Sequence, residues 1–241
     1  MEIIKSLDNK KIKGLSKLLI KKYRDLENKF IVEGEHLVLE AYKAGVLLEI
    51  IRCPEYECNL NVSETIVTYE VLKKLSFTKT PQKIMGICKK ISEKEIGNKV
   101  LILDDIQDPG NLGTIIRSAV AFNVDTIVLS SNTVDLYNDK VLRSSEGMFF
   151  HINIIKRDIN NLIKELKDKG YCVLGTKVDG GKDIRKIAHT EKMAIIVGNE
   201  GAGVKEEILD MCDDYLYIAM NLKCESLNVG VATSIILYEL F

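Results

Sequence analysis

No apolar run in the chain approaches the roughly 18 residues a membrane helix needs, and no basic leader with an apolar core and cleavage site opens it. A cytosolic protein is expected. Cysteine is scattered: Cys53, Cys58, Cys88, Cys172, Cys212 and Cys224 form no C-x-x-C pair, and no histidine lies at metal-ligand spacing from them. Disulfide scaffolds and zinc modules are therefore excluded; the thiols should be reduced and mostly buried, and no metal is expected. Internal repeats and low-complexity tracts are also missing. A net charge of −1 is too small to signal a polyanionic partner by itself.

What is present is ordinary for a folded chain: 241 residues, 46% hydrophobic and 29% charged, enough for one large α/β domain or two smaller ones. Charge is unevenly distributed. Residues 1–29 hold nine basic side chains, Lys5, Lys10, Lys11, Lys13, Lys17, Lys21, Lys22, Arg24 and Lys29, against the four acids Glu2, Asp8, Asp25 and Glu27. That local excess of +5 leaves −6 on the remainder. Such a stretch is either the solvated face of a helix or the electrostatic footprint of a nucleic-acid binder.

Ile12, Leu15, Leu18 and Leu19 fall at helical spacing and predict a helix near 9–26. A strand at "FIVEG", a helix at "EHLVLEAYKAG" closed by Gly45, strands at "LEIIRC" and "ETIVT", a helix at "YEVLKKLS" and a strand at "KIMGICK" follow. Together they make a small α/β unit, residues 1–95. The charged stretch "ISEKEIGNK" reads as its connection to a second unit, residues 99–241. There, strands at "VLILDDI", "TIVLSS", "INIIK", "YCVLGTKV", "MAIIVGN" and "YLYIA" alternate with helices near 111–122, 158–169, 204–212 and 226–240. This alternation calls for a mainly parallel sheet with helices on both faces. Ligands then gather at the C-terminal ends of the strands.

Three loops leave those ends. The first, "DDIQDPGNLG", leads into a helix expected to bury Leu112, Ile115, Ile116, Ala119 and Val120 and carrying Asn111 and Arg117 near its start. The second, "GNEGAGV" at 198–204, has glycines that permit positive φ and close approach of a ligand to the backbone. The third, "IAMNLKCESLNVGVA" at 218–232, ends a strand and begins a helix, with Ser226 read as its N-cap and Asn228 left without a structural reason. A Rossmann oxidoreductase is excluded because its G-x-G-x-x-G belongs after the first strand and this glycine cluster comes late; no P-loop and no G-x-S-x-G is present. His36, His151 and His189 have no evident serine or cysteine partner and read as structural or surface residues.

"LDDIQDPGNLGTIIRSAVAFNVDTIVLS", "AIIVGNEGAGV" and "YIAMNLKCESLNVGVATSIILYEL" resemble, in order and spacing, the three signature motifs of the SpoU (TrmH) family of RNA 2′-O-ribose methyltransferases. The intervening "YNDKVLRSSEGMFFHI" is also similar to that family, and the N-terminal part resembles the small RNA substrate-binding domain preceding the catalytic domain in many members. The resemblance implies S-adenosylmethionine as cofactor, a homodimer, and a deep C-terminal trefoil knot, a feature that general topology rules would not suggest. It places the cofactor against Gly198, Ile218 and Leu227, with Thr176 and Asn199 nearby. It puts Arg117 at the ribose hydroxyl and gives Asn111, Glu200, Ser226 and Asn228 supporting roles, with Glu200 orienting Arg117 or the ribose. The RNA is expected to be ribosomal in preference to transfer RNA. A non-catalytic RNA-binding or ribosome-assembly factor on the same scaffold is the alternative. Ala219, Glu146 and Asn153 depart from the family pattern, where a proline, a small residue and a proline are common.

Overall fold

The strand–helix rhythm expected beyond Val100 is present in the computed structural model, which describes residues 2–178, 180–221 and 223–241. By internal contacts the chain forms two compact units, one made of residues 2–92 with 136–150, the other of 93–135 with 151–241.

In the first unit, α1 (Lys10–Ser16) passes through a 3₁₀ turn (Lys17–Leu19) into α2 (Lys21–Glu27). The single helix expected over 9–26 is therefore broken. Ile20 is extended (φ −104°, ψ 129°), and the buried Arg24 donates from Nη1 to the carbonyls of Leu18 and Leu19, satisfying acceptors that a continuous helix would have used internally. Asn28 ends α2 in the left-handed conformation (φ 52°). Next come β1 (Lys29–Glu33), α3 (Glu35–Lys43), β2 (Leu47–Arg52), β3 (Ser63–Ile66), α4 (Tyr69–Lys74) and β4 (Ile84–Lys89). Their sheet has the order β1-β4-β2-β3, with β4 antiparallel to both neighbours and β2 parallel to β3. Ile12, Leu18, Ile31, Ile51, Val71, Leu72 and Met85 form its core.

The second unit opens with β5 (Lys99–Leu103), α5 (Pro109–Ala121) and β6 (Thr126–Leu129). The chain then enters the first unit for α6 (Asp139–Ser144), a helix unassigned from sequence, and a 3₁₀ turn at Met148–Phe150. There Phe149 and Tyr137 lie 6.0 and 4.6 Å from the buried ring of Phe30. Back in the second unit follow β7 (Asn153–Lys156), α7 (Ile159–Asp168), β8 (Cys172–Thr176), the two-residue β9 (Lys182–Asp183), β10 (Met193–Val197), α8 (Glu206–Leu209), β11 (Asp214–Tyr217) and α9 (Val229–Leu240).

All pairings in the seven-stranded sheet, β7-β6-β5-β10-β8-β11-β9, are parallel. Every residue of β6 and β10 is buried, as strands covered on both faces require. α7 starts on an Asp158 N-cap and buries Ile159, Leu162, Ile163 and Leu166 at helical spacing. Asn153 has a reason to replace proline. Its side chain accepts from Lys94 N (2.9 Å) and donates to the carbonyls of Lys94 and Glu95 and to Thr126 Oγ1, pinning the chain just before β5.

The helix expected over 204–212 is shorter, Glu206–Leu209, and α9 begins at Val229. Of the six thiols only Cys53 and Cys88 are buried, Cys224 being exposed, so "mostly buried" is corrected. Burial pushes the Cys212 thiol up to about 11, and among the described residues no cysteine is paired with another. Among the described residues no helix is long and apolar enough to cross a membrane.

Candidate active site

At the C-terminal ends of β5, β10, β8 and β11, the parallel register brings the loops after Leu103, Val197, Thr176 and Tyr217 to one edge of the sheet. The central loop, 198–204, is built by its own backbone. Asn199 N–H donates to Gly203 O (3.0 Å) and Gly203 N–H to Asn199 O (2.9 Å). The Asn199 side chain closes the turn from inside, Oδ1 accepting from Gly201 and Ala202 N–H at 2.9 and 3.1 Å. The turn folds so tightly that a Cβ on Gly198 would lie 2.0 Å from the carbonyl carbon of Gly203; only glycine fits.

This turn is tied to the loop after β5. Asp105 adopts φ +61°, and its carbonyl accepts from Asn199 Nδ2 at 2.9 Å. Lys205, directly after the glycine turn, reaches back: its ammonium is 2.7 Å from Asp105 and 3.3 Å from Asp104, and its backbone N–H donates to Asp104, a carboxylate only 1% exposed. Partial burial would raise the Asp105 carboxyl, but hydrogen bonds from Lys205, Ser130 and Asn132 outweigh it and hold it below the usual range. The Asp105 carboxylate in turn pushes Lys205 up.

Glu200 projects from the turn onto the start of α5. Its carboxylate accepts from Asp108 N–H (3.0 Å), Gln107 N–H (3.3 Å), Asn111 Nδ2 (3.0 Å) and Asn199 Nδ2 (3.4 Å). A carboxylate at a helix N-terminus also meets the positive end of the helix dipole. Burial opposes ionisation here, yet the hydrogen bonds from Asn111, Asp108, Gln107 and its own backbone N–H win, and the carboxyl is held below its ordinary value. Asn111 passes the connection on: its Oδ1 accepts from Asn228 Nδ2 at 2.9 Å. Asn228 Oδ1 caps α9, accepting from Gly230 (2.9 Å) and Val231 N–H (3.3 Å). The N-cap is therefore Asn228, not Ser226, and the residue read as lacking a structural role has a definite one. Glu200, Asn111 and Asn228, one from each loop, form a single hydrogen-bonded chain.

Between the glycine turn and the segment before α9 lies a cleft of about 380 Å³. Thr176, Gly198, Asn199, Ile218 and Leu227 all line it, as do Glu200 and Ser226. Its apolar wall comes from Val197, Val204, Leu209, Leu216, Val229 and Ile236, and Lys177 and Glu206 add charge. Asn111 and Asn228 stand behind Glu200 without lining it. Arg117 is exposed on α5 and has no hydrogen bond or ion pair among the described residues, so Glu200 does not orient it here. Lys205 and the Asp104–Asp105 pair were not anticipated; an acidic doublet ending one strand and a lysine closing the glycine turn were the available signal.

α5 and α9 run side by side in four-residue steps. Thr114 faces Gly230, where a Cβ would approach to 3.2 Å; Ser118 Oγ lies 2.6 Å from Ser234 Oγ; and the rings of Phe122 and Tyr238 are 5.6 Å apart. Val231, Ile235 and Tyr238 leave an exposed apolar stripe along α9.

Residues 98–238 match the SpoU rRNA Methylase family, and residues 9–86 match the MRM3-like substrate binding domain. The chain is 41% identical over 246 residues to the 23S rRNA (guanosine(2553)-2′-O)-methyltransferase RlmP of Bacillus subtilis (strain 168), covering 100% of this chain and 99% of that protein. Two crystal structures of an rRNA methyltransferase from Sinorhizobium meliloti, one of them AdoMet-bound, superpose with a TM-score of 0.87 at 28% identity, over 99% of this chain and 96% of theirs. The motif-bearing loops, the cleft between them and these whole-chain likenesses agree: the chain belongs to the SpoU rRNA methylase family, whose reaction is S-adenosylmethionine-dependent methyl transfer to a ribose 2′-OH of RNA.

Proposed function

We propose that the chain methylates one guanosine ribose of large-subunit ribosomal RNA, works in the cytoplasm as a homodimer, and binds S-adenosylmethionine in the cleft between the glycine turn and residues 218–228. The whole-length likeness to a 23S rRNA guanosine methyltransferase carries the substrate part of this reading. The cleft suits the cofactor: its wall is apolar where a flat adenine would lie, and backbone-rich glycine and loop segments border it, offering N–H and C=O groups to the base and ribose edges.

S-adenosylmethionine supplies a methyl group already activated on a sulfonium. The protein must then orient the ribose and manage the charge appearing on its 2′-oxygen. Arg117 is the side chain assigned to that oxygen. It is solvent-facing and makes no hydrogen bond or ion pair among the described residues, and the planar fork of guanidinium donors suits stabilising the oxyanion and gripping phosphate. Glu200, Asn111 and Asn228 hold the three loops together beside the start of α5, the helix that carries Arg117. Residues 1–95 are assigned to RNA capture and 99–241 to catalysis, supported by the two family matches. Lys5, Lys10, Lys22 and Lys29 make no ion pair among the described residues and remain free for phosphate. The stripe Val231–Ile235–Tyr238 is the face assigned to a second copy, and a trefoil knot formed by the C-terminal segment completes the proposal, which rests for that feature on membership of the family.

The test is nucleotide-resolution mapping of 2′-O-methyl groups on ribosomal particles lacking them, after incubation with the purified protein and S-adenosylmethionine. One new methyl on a large-subunit guanosine is expected. Methylation confined to transfer RNA would overturn the substrate assignment.

A further inference from the structure

The cleft holds three charged side chains, Lys177, Glu200 and Glu206. Glu200 is committed: four donors converge on its carboxylate, and its role is to join two loops. Lys177 and Glu206 are differently placed. Lys177 directly follows β8, where its backbone N–H donates to Leu216 O, and its ammonium sits 4.9 Å from the centre of the Tyr215 ring. Glu206 opens α8 across from it. The two charges are 3.8 Å apart, beyond hydrogen-bond distance, with the Lys177 side chain 31% and the Glu206 side chain 77% exposed. An ion pair so long and so wet adds little and opens readily.

Such a pair of opposite charges, facing each other at the rim of an otherwise apolar and backbone-built cleft, lacks a structural reason. It has a chemical one if the ligand brings a complementary pair. We infer that Lys177 and Glu206 form the subsite for the α-amino-acid end of the cofactor, Lys177 taking the carboxylate and Glu206 the ammonium. The inference rests on the placement of S-adenosylmethionine in this cleft and adds which side chains read its zwitterion. One weak ion pair is then exchanged for two charge-assisted contacts. Tyr215 holds the ammonium of Lys177 at the rim, so little side-chain freedom is lost when the carboxylate arrives. Both residues escape motif reading because they flank the glycine turn and the β8 end without belonging to either signature.

The experiment is calorimetric binding to the full chain, without RNA. The probes are S-adenosylhomocysteine, which keeps the amino-acid end, 5′-methylthioadenosine, which lacks it, and decarboxylated S-adenosylmethionine, which keeps only the ammonium. Lys177→Gln and Glu206→Gln should each weaken S-adenosylhomocysteine about 5- to 30-fold and leave 5′-methylthioadenosine within twofold. Lys177→Gln should also leave the decarboxylated compound unchanged, whereas Glu206→Gln weakens it, and Lys177→Arg should restore most of the S-adenosylhomocysteine affinity. Equal loss for S-adenosylhomocysteine and 5′-methylthioadenosine would overturn the assignment, because the pair would then be serving the nucleoside or the loop. No loss for either would overturn it as well. Failure of the unsubstituted chain to bind any of the probes would instead remove the cofactor placement on which the inference stands.

Discussion

Gly198→Ala tests whether the glycine turn is the cofactor platform. The added Cβ would sit 2.0 Å from Gly203 C, 2.1 Å from Val204 N and 2.2 Å from Gly203 O, all backbone atoms that no rotamer change can move aside. Carbon–carbon contact is comfortable at about 3.5 Å or more, so the opposite limb of the turn must retreat by roughly 1.5 Å. The Asn199–Gly203 hydrogen bonds, at 3.0 and 2.9 Å, do not survive that displacement. Two backbone hydrogen bonds at ~0.5–1.5 kcal/mol each amount to ~1–3 kcal/mol. In a chain of this size each kcal/mol corresponds to about 2–4 °C in Tm, giving a fall of roughly 2–12 °C. If binding requires the turn to close again, the same energy weakens S-adenosylmethionine about 5- to 150-fold. Thermal unfolding with and without cofactor, together with calorimetry, measures both effects. Wild-type affinity and unchanged Tm in the variant would show that the turn is neither strained by a Cβ nor used for binding.

Arg117→Ala should leave folding and cofactor affinity intact while cutting single-turnover methyl transfer at saturating RNA by ~100-fold or more, with little rescue by Arg117→Lys; a residual rate near wild type sinks the oxyanion role. For Glu200, the folded-state carboxyl is held below its unfolded value, so its contribution is complete above the ordinary carboxylate range near ~4.3 and is lost as pH falls through the depressed value. The Tm difference between wild type and Glu200→Gln should therefore be flat from pH 8 to 5 and shrink below pH 4, as followed by calorimetry; a difference that persists unchanged to pH 3 contradicts the assignment. Val231→Asp combined with Ile235→Asp should convert a dimer to monomers in light scattering, and a variant that remains dimeric places the interface elsewhere.

The parallel sheet was legible because β5, β6 and β10 are short apolar runs covered on both faces, and such runs separated by amphipathic helices leave few other architectures. Gly198 was legible as part of a glycine turn allowing close backbone approach, whereas Glu200 was named only through the family resemblance, because three of the donors that converge on its carboxylate lie about 90 residues away. Ser226 was read as the cap and Asn228 as lacking a structural role, since both are good cap residues two positions apart; Asn228 takes the cap, and its amide also donates to Asn111, 117 residues distant. The break at Ile20 escaped for a local reason. A 3₁₀ turn keeps Leu18 facing the core, so the apolar rhythm runs on through it, and the buried guanidinium of Arg24 that completes it looks, in sequence, like another member of a basic stretch.

The aromatic cluster around Phe30 sets a timetable for the chain's birth. Phe30 belongs to the first strand to emerge, whereas Phe149, which packs on it, is made about 120 residues later, ~6–24 s afterwards at ~5–20 residues per second. Until then the N-terminal unit leaves the ribosome with an apolar socket open. Its last contacts close only after β5, α5 and β6 have also been synthesised, so the two units finish folding in an interleaved order although they begin in sequence. A chaperone that binds exposed aromatic surface would have that interval in which to act.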